Sequence, residues 1–245
     1  MNAILKIENL RFSYADEFSL DVPLLEIGCG EFVYLLGLNG SGKTTLFHII
    51  AQVLKPSEGR IFIQGEDSTR LDPLRIAQKI ALVEQEVQYV FPYSVYEVVM
   101  MGRFAHNRGN YFESDRDKTV VNDALMQMTV YDLKDRLITE LSGGERRRVE
   151  IARALAQETD IILLDEPTTF LDVKQQKIFL DSIHSLHGTG KTVIIVTHRI
   201  DFVQNYFGRV VMLHAGRIRA DRVVSEVSDL SVVKSELEAM GDHSG

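Results

Sequence analysis

The spacing of apolar and polar positions changes several times along this chain, and each change predicts an element. The opening MNAILKIENL alternates as a half-buried strand does. Glu31 to Leu36 reads as an apolar strand, and Arg60 to Gln64 as a short strand behind a turn at Pro56-Ser57-Glu58-Gly59. Between them Leu46, Phe47, Ile49, Ile50, Val53 and Leu54 recur at helical spacing, with Lys55-Pro56 as the stop. Residues 86–157 read as an inserted helical subdomain, in which Val120, Val121, Ala124, Leu125 and Met128 follow the helical period. Ser114 is its predicted N-cap and Asp117 completes the capping box. Ile161 to Leu164 and Thr192 to Val196 are unbroken apolar runs separated by a helix with Phe179, Leu180, Ile183 and Leu186 on one face. Such runs alternating with helices predict an α/β fold whose parallel sheet is covered on both sides. Val210 to Leu213 and Ile218 flank His214-Ala215-Gly216-Arg217 as a hairpin. Residues 1–85 and 158–225 are thus assigned to a core with a β subdomain, and 226–245 to a polar tail with weak helical pattern.

Composition narrows the partners. The chain has 245 residues, 45% apolar and 25% charged, with a net charge of −8, which fits one large domain carrying a subdomain. An acidic balance argues against nucleic acid as a partner, since phosphate neutralisation needs clustered Lys and Arg. Arg146-Arg147-Arg148 is read as a solvated helix face. Cys29 is the only cysteine, which excludes intrachain disulfides; its apolar neighbours suggest a packing role. No run approaches the ~20 apolar residues of a membrane span, and the start lacks the features of a secretory signal. The expectation is a cytoplasmic protein whose membrane role, if any, comes from a partner.

The chemistry begins at Gly37-Leu38-Asn39-Gly40-Ser41-Gly42-Lys43-Thr44-Thr45, which fits G-x-x-x-x-G-K-[ST] between a predicted strand and a predicted helix. Glycines let backbone N–H groups turn inward around phosphates, and the helix N-terminus adds positive potential. Lys43 is then placed for the β- and γ-phosphates and the Thr44 hydroxyl for magnesium. Asp165, ending an apolar strand, can hold the same metal through water, and Glu166 can accept a proton from an attacking water. Ser142-Gly143-Gly144-Glu145 opens another helix and forms a second anion site. One nucleotide cannot easily use both sites on one chain.

LSGGE, the GLNGSGKTT loop and ILLDEP, in one chain, resemble the nucleotide-binding subunit of an ABC transporter. The resemblance runs from about Lys6 to Val224 and implies a P-loop NTPase core with a mostly parallel sheet, an N-terminal antiparallel β subdomain and an inserted α-helical subdomain. It implies an ATPase using ATP and magnesium, acting as a homodimer in which the signature of one copy closes over the ATP held by the other. It places Tyr14 under the adenine, Gln85 as a sensor of magnesium and γ-phosphate, Asp172 in communication across the dimer, and His198 on the γ-phosphate. The implied partners are transmembrane permease subunits and, indirectly, a periplasmic or extracellular substrate-binding protein; the implied place is the cytoplasmic face of the membrane.

Met101-Gly102-Arg103-Phe104-Ala105-His106 and Pro167-Thr168-Thr169-Phe170-Leu171-Asp172 are similar to the subunits that power uptake of iron-siderophore, haem and cobalamin. That group usually has proline where Ala105 and Glu84 stand, histidine where Gln175 stands and aspartate where Arg199 stands. The alternatives are an ABC subunit for another cargo or for export, and a soluble ABC ATPase acting on DNA or ribosomes. No long coiled coil separates Lys43 from Asp165, and only one cassette is present. A regulatory module without turnover predicts loss of Glu166 or His198, yet both stand. His198-Arg199-Ile200-Asp201 does not match the kinase catalytic-loop spacing.

Overall fold

The computed structural model describes residues 3–14, 18–106, 113–169 and 171–241. Ten strands form one sheet in the order β5-β4-β1-β2-β10-β9-β3-β8-β7-β6. The antiparallel part comprises β1 (Ala3–Tyr14), β2 (Phe18–Gly28), β4 (Glu58–Ile63) and β5 (Glu66–Asp67). The parallel part comprises β3 (Phe32–Leu36), β6 (Ile80–Val83), β7 (Ile161–Asp165), β8 (Thr192–Thr197) and β9 (Gly208–His214). β10 (Arg217–Val224) returns antiparallel to β9 as the predicted hairpin and meets β2 through the single pair Arg217 and Asp21. The N-terminal β region is therefore continuous with the central sheet.

The unbroken apolar runs are explained by burial on both faces. Along β3, Phe32, Tyr34 and Leu36 enter one core while Val33 and Leu35 enter the other. β7 and β8 divide likewise: Ile162, Leu164, Val193 and Ile195 face one side, Ile161, Leu163, Ile194 and Val196 the opposite. This is the period-two alternation of a strand with no solvent face. The second core is closed by α1 (Lys43–Ile50), which buries Leu46, Phe47, Ile49 and Ile50. The first is closed by α6 (Val173–His187), whose buried residues are the predicted Phe179, Leu180, Ile183 and Leu186. Two short helices, α2 (Pro73–Ala77) and α7 (Asp201–Asn205), join strands, and α8 (Val227–Gly241) docks Leu230 and Val233.

α1 ends sooner than its apolar spacing predicts. The chain leaves the helix at Ala51, and Gln52 takes a left-handed φ of 59°. The Val53 and Leu54 amides turn back to the His48 carbonyl at 2.8 and 3.1 Å, so a compact C-terminal turn stops the helix before Lys55-Pro56. Val53 consequently points into solvent at 61% exposure. Cys29 also departs from expectation. It occupies the tight turn between β2 and β3, closed by the Glu31 amide on the Gly28 carbonyl, and its thiol is exposed rather than packed.

Between β6 and β7 the chain is helical, with α3 (Val95–Met100), α4 (Asp115–Gln127) and α5 (Gly143–Ala156) in mutual contact. Each starts with a capping box: Ser94 with Glu97, the predicted Ser114 with Asp117, and Ser142 with Glu145. Gly102 lets the chain pass close to α5, since a Cβ there would lie 2.2 Å from the Arg153 carbonyl oxygen. The neighbouring Arg103, 2% exposed, ties the pieces together. It donates to Asp117 at 2.8 Å, to the Ala156 carbonyl at 2.6 Å and to Glu158 at 2.7 Å.

Burial alone would raise the Asp117 carboxyl, but hydrogen bonds from the Ser114 hydroxyl, Arg103 and the Ser114 amide outweigh it and hold the group at about 2. Its folded value lies below its unfolded one. Its stabilising contribution is therefore complete at neutral pH and is lost as pH falls from about 4 to 2. Asp117→Asn should cost on the order of 1–3 kcal/mol at pH 7, because the buried guanidinium keeps Glu158 but loses its charge-assisted bond to Asp117. Chemical denaturation at pH 7 and pH 2.5 checks this: the gap between variant and wild type should narrow at the lower pH.

Candidate functional site

The cleft is organised by the turn from β3 into α1. Gly37 has no room for a side chain, since a Cβ would lie 2.2 Å from the Leu213 carbonyl oxygen. Gly42 takes a φ of 102°, and a Cβ on it would strike the Phe18 ring at 2.6 Å. The loop is fixed from behind by the Gly216 amide, which donates to the Ser41 carbonyl at 3.0 Å. It curls around Lys43, whose Nζ donates to the Gly37 and Leu38 carbonyls at 2.8 and 2.9 Å. Burial pushes the Lys43 ammonium below the ordinary lysine range, against the pull of Glu166 and Asp165. The Ser41 hydroxyl is buried with no hydrogen-bond partner.

Asp165 ends β7 beside this loop and is 2% exposed. Burial raises its carboxyl above the usual range, although Thr44, His48 and Lys43 favour the ionised form. Its Oδ1 has no partner. Two buried oxygens with unmade bonds and a lysine folded onto its own loop mark a place built for a charged ligand. The next residue, Glu166, adopts a φ of 40°, a left-handed conformation costly for a residue that carries a Cβ and concentrated at functional sites. Its carboxylate lies 3.0 Å from His198 Nδ1, on the turn after β8.

These residues share an open cleft of about 750 Å³ lined by Tyr14, Asn39, Gly40, Gly42, Lys43, Thr44, Thr45, Gln85, Glu166 and His198. Gly37 and Ser41 lie in the buried part of the same loop. Tyr14 is 48% exposed and stands edge-on to Phe12 with ring centres 4.7 Å apart. Sequence reasoning missed Phe18 and Thr169 on the lining. Phe18 pairs directly across the hairpin from Tyr14, a relation that becomes visible only once the register of β1 and β2 is known.

Ser142, Gly143 and Gly144 do not line this cleft. They start α5, and Gly143 borders an adjoining hollow that shares Gln85 and Thr169 with the cleft and is also lined by Arg146 and Arg147. The Ser142 hydroxyl donates to Glu145 at 2.7 Å, so the free donors at this helix start face a carboxylate of their own. Asp172 caps α6, accepting from the Gln175 amide at 2.8 Å. The Gln175 side chain covers Gly144, where an added Cβ would lie 2.8 Å from it. Arg199 bonds Asp201 and Gln176 and stacks on Phe202 with 4.7 Å to the ring centre.

The run Arg146-Arg147-Arg148 is not a solvated face throughout. Arg147 is 6% exposed and paired with Glu150 at 2.8 Å, because position 147 falls on the side of α5 turned toward β7. Burial depresses this guanidinium and raises the Glu150 carboxyl, each partly countered by the other. Arg146 and Arg148 are half-buried.

A glycine loop between strand and helix, a lysine inside it and an acidic strand end beside it define a P-loop nucleotide-binding domain. The sequence pattern of the ABC transporter family matches residues 20–169, and the chain belongs to that family. It is 35% identical over 236 residues to the achromobactin transport ATP-binding protein of Dickeya dadantii, covering 96% of this chain and 87% of that one. Among solved structures it resembles an inward-facing metal-chelate type ABC transporter, with a TM-score of 0.80, 32% identity and coverage of 91% and 84%. It also resembles the ATP-binding cassette MJ0796, a dimer bound to ADP and phosphate, with a TM-score of 0.78, 29% identity and coverage of 91% and 99%. The chain is an ATPase domain, and the P-loop core, mostly parallel sheet and helical insertion agree with the fold read from sequence.

Replacing Asp165 by asparagine removes a desolvated charge while keeping the shape. The raised carboxyl means that its ionised form opposes folding, so the nucleotide-free Asp165→Asn protein should melt at a higher temperature than wild type at pH 7. That gain should shrink as pH falls into the carboxylate range, where wild type is protonated too. Calorimetry across pH 4 to 8 measures both.

Proposed function

We propose that the chain binds and hydrolyses ATP as the energising subunit of an ABC importer for an iron-siderophore or related metal-chelate cargo. The observation that carries the ATPase half is the convergence of Lys43, Thr44, Gln85, Glu166 and His198 on one cleft. The cargo half rests on the achromobactin relative and the metal-chelate transporter, together with the Met101-Gly102-Arg103 segment, whose arginine is structurally committed.

In this reading the triphosphate displaces the Gly37 and Leu38 carbonyls from Lys43, whose ammonium then faces the β- and γ-phosphates. The loop amides of Asn39 to Thr45 and the start of α1 supply the remaining donors. Ser41 gains a partner for its orphaned hydroxyl. The adenine stacks on Tyr14, an interaction worth ~1–3 kcal/mol by analogy with base stacking. Thr44, Gln85 and Asp165 would hold magnesium, and the unpartnered Asp165 Oδ1 fits that task. Bound magnesium neutralises phosphate charge. Glu166 takes the proton from the attacking water, and His198, bonded to its carboxylate, orients it and reaches the γ-phosphate.

Ser142, Gly143 and Gly144 lie outside the cleft of their own chain, which supports a dimer in which they close over the nucleotide of the second copy. The cassette MJ0796, a dimer bound to ADP and phosphate, supports the pairing of two copies. Asp172, beside Gly144 through Gln175, is placed to sense that closure. No helix among the described residues is long and apolar enough to cross a membrane. The transport ATP-binding relative supports a chain that works through transmembrane permease subunits at the cytoplasmic face. A substrate-binding protein outside the membrane delivers the cargo to those subunits. Val90 and Phe91, 84% and 62% exposed just beyond Gln85, offer an apolar contact for the permease.

Glu166→Gln should keep ATP binding, lose at least ~10²-fold in turnover and accumulate as an ATP-bound dimer. Phosphate release together with size-exclusion light scattering tests this. Turnover at the wild-type rate removes Glu166 from the base role, and a strictly monomeric variant with ATP and magnesium removes the sandwich.

A further inference from the structure

Four acceptors converge on the Arg147 side chain. Its Nε donates to the Pro167 carbonyl at 2.9 Å, its Nη2 to the Asp165 carbonyl at 3.1 Å, and its Nη1 to the Glu84 carbonyl at 2.5 Å and the Glu150 carboxylate at 2.8 Å. Asp165 and Pro167 are the two neighbours of Glu166, and Glu84 precedes Gln85. One planar cation therefore grips the backbone on both sides of the proposed base and the backbone entering the Gln85 segment. It does so from α5, the helix that begins with Ser142, Gly143 and Gly144.

Glu166 needs such a grip. Its φ of 40° is intrinsically unfavourable, and a strained residue persists only when its surroundings over-determine it. The Glu166 amide is held by the Val196 carbonyl at 3.1 Å, and the Thr169 amide and hydroxyl return to the Glu166 carbonyl at 3.2 and 3.0 Å. Those bonds fix the peptide groups of Glu166 itself. Among the described residues Arg147 supplies the side-chain donors to the carbonyls of both flanking residues, so it braces the chain on either side of Glu166 and backs the bonds that hold its conformation. A lysine could satisfy some of these acceptors but not span them, because it is a point donor where arginine is a rigid fork.

We propose that Arg147 is a positioning residue for hydrolysis, holding Glu166 in its left-handed conformation and registering the Gln85 segment and the start of α5 against it. Glu150 keeps the buried guanidinium neutralised. The inference rests on the reading of Glu166 as the base. It implies that when α5 shifts, as closure over a second copy's nucleotide demands, the shift reaches Glu166 through this guanidinium.

The test compares wild type, Arg147→Lys, the neutral double variant Arg147→Gln/Glu150→Gln and Glu166→Gln. The double variant avoids leaving a lone buried charge, which would unfold the site for an unrelated reason. Tightly folded protein is verified by thermal melting, ATP affinity by a fluorescent nucleotide, and kcat and KM by phosphate release. The expected result is a kcat at least about tenfold below wild type in the double variant, with ATP affinity and KM within about twofold, since misplacing a reacting group by about 1 Å can cost 10²-fold. Arg147→Lys should fall between. A kcat within about twofold of wild type in the folded double variant overturns the inference, as does a parallel loss of ATP affinity, which would mark a general structural role. If the double variant does not fold, Arg147→Lys decides: reduced kcat at unchanged KM supports the proposal, and wild-type kcat overturns it. Glu166→Gln separates the two levels. Should it turn over normally, the base reading fails; should it be inactive while the Arg147 variants are not, only the positioning role fails.

Discussion

The close approach of the Gly37 backbone to the Leu213 carbonyl is the constraint on which the cleft depends. Any side chain at that position would collide with the neighbouring strand, and the loop would be pushed away from α1. Because the backbone can lie there, β9 and the turn to β10 form its floor, Gly216 holds Ser41 from below, and Lys43 curls into the loop it starts from. Packing of α1 against the second core then fixes the direction of its N-terminus. The chemistry of the cleft is thus a consequence of how tightly three strand ends and one helix pack.

Much of this was legible in the order of residues. Strands with apolar residues on both faces, β3, β7 and β8, announce themselves as unbroken runs because no position is free to be polar. The glycine loop is readable because backbone shape and phosphate chemistry impose residue types at fixed spacing. α6 was legible because its buried residues, Phe179 to Leu186, follow the helical period over about two turns. What escaped has physical reasons as well. The end of α1 is decided by a left-handed Gln52, a backbone choice that no apolar period reports. Cys29 was misread because its apolar neighbours belong to strands on either side of a turn, while the turn itself faces water. Arg147 was misread because three successive arginines look alike in a sequence, whereas α5 turns one of them inward. The pairing of Tyr14 with Phe18 needed the strand register.

Three of the residues that depart from the importer group's usual pattern acquire partners of their own. The Glu84 carboxylate lies 3.6 Å from His48 Nε2, Gln175 spreads over Gly144, and Arg199 is neutralised by Asp201 and braced by Gln176 and Phe202. Each sits where one segment of the site meets another. Ala105, in contrast, is buried and contributes its carbonyl to Gln78. The substitutions therefore alter how segments are tied together while leaving the phosphate loop and the acidic strand end untouched.

The exposed thiol of Cys29 has a practical corollary. It lies in the turn that precedes β3, and the phosphate loop follows the far end of that five-residue strand, which is itself roughly 17 Å long. With no other cysteine in the chain, a dye or spin label attached there reports from a single known point. Two copies so labelled would carry one probe each, related by whatever symmetry joins them, so their separation could be followed in the native sequence without introducing or removing any side chain.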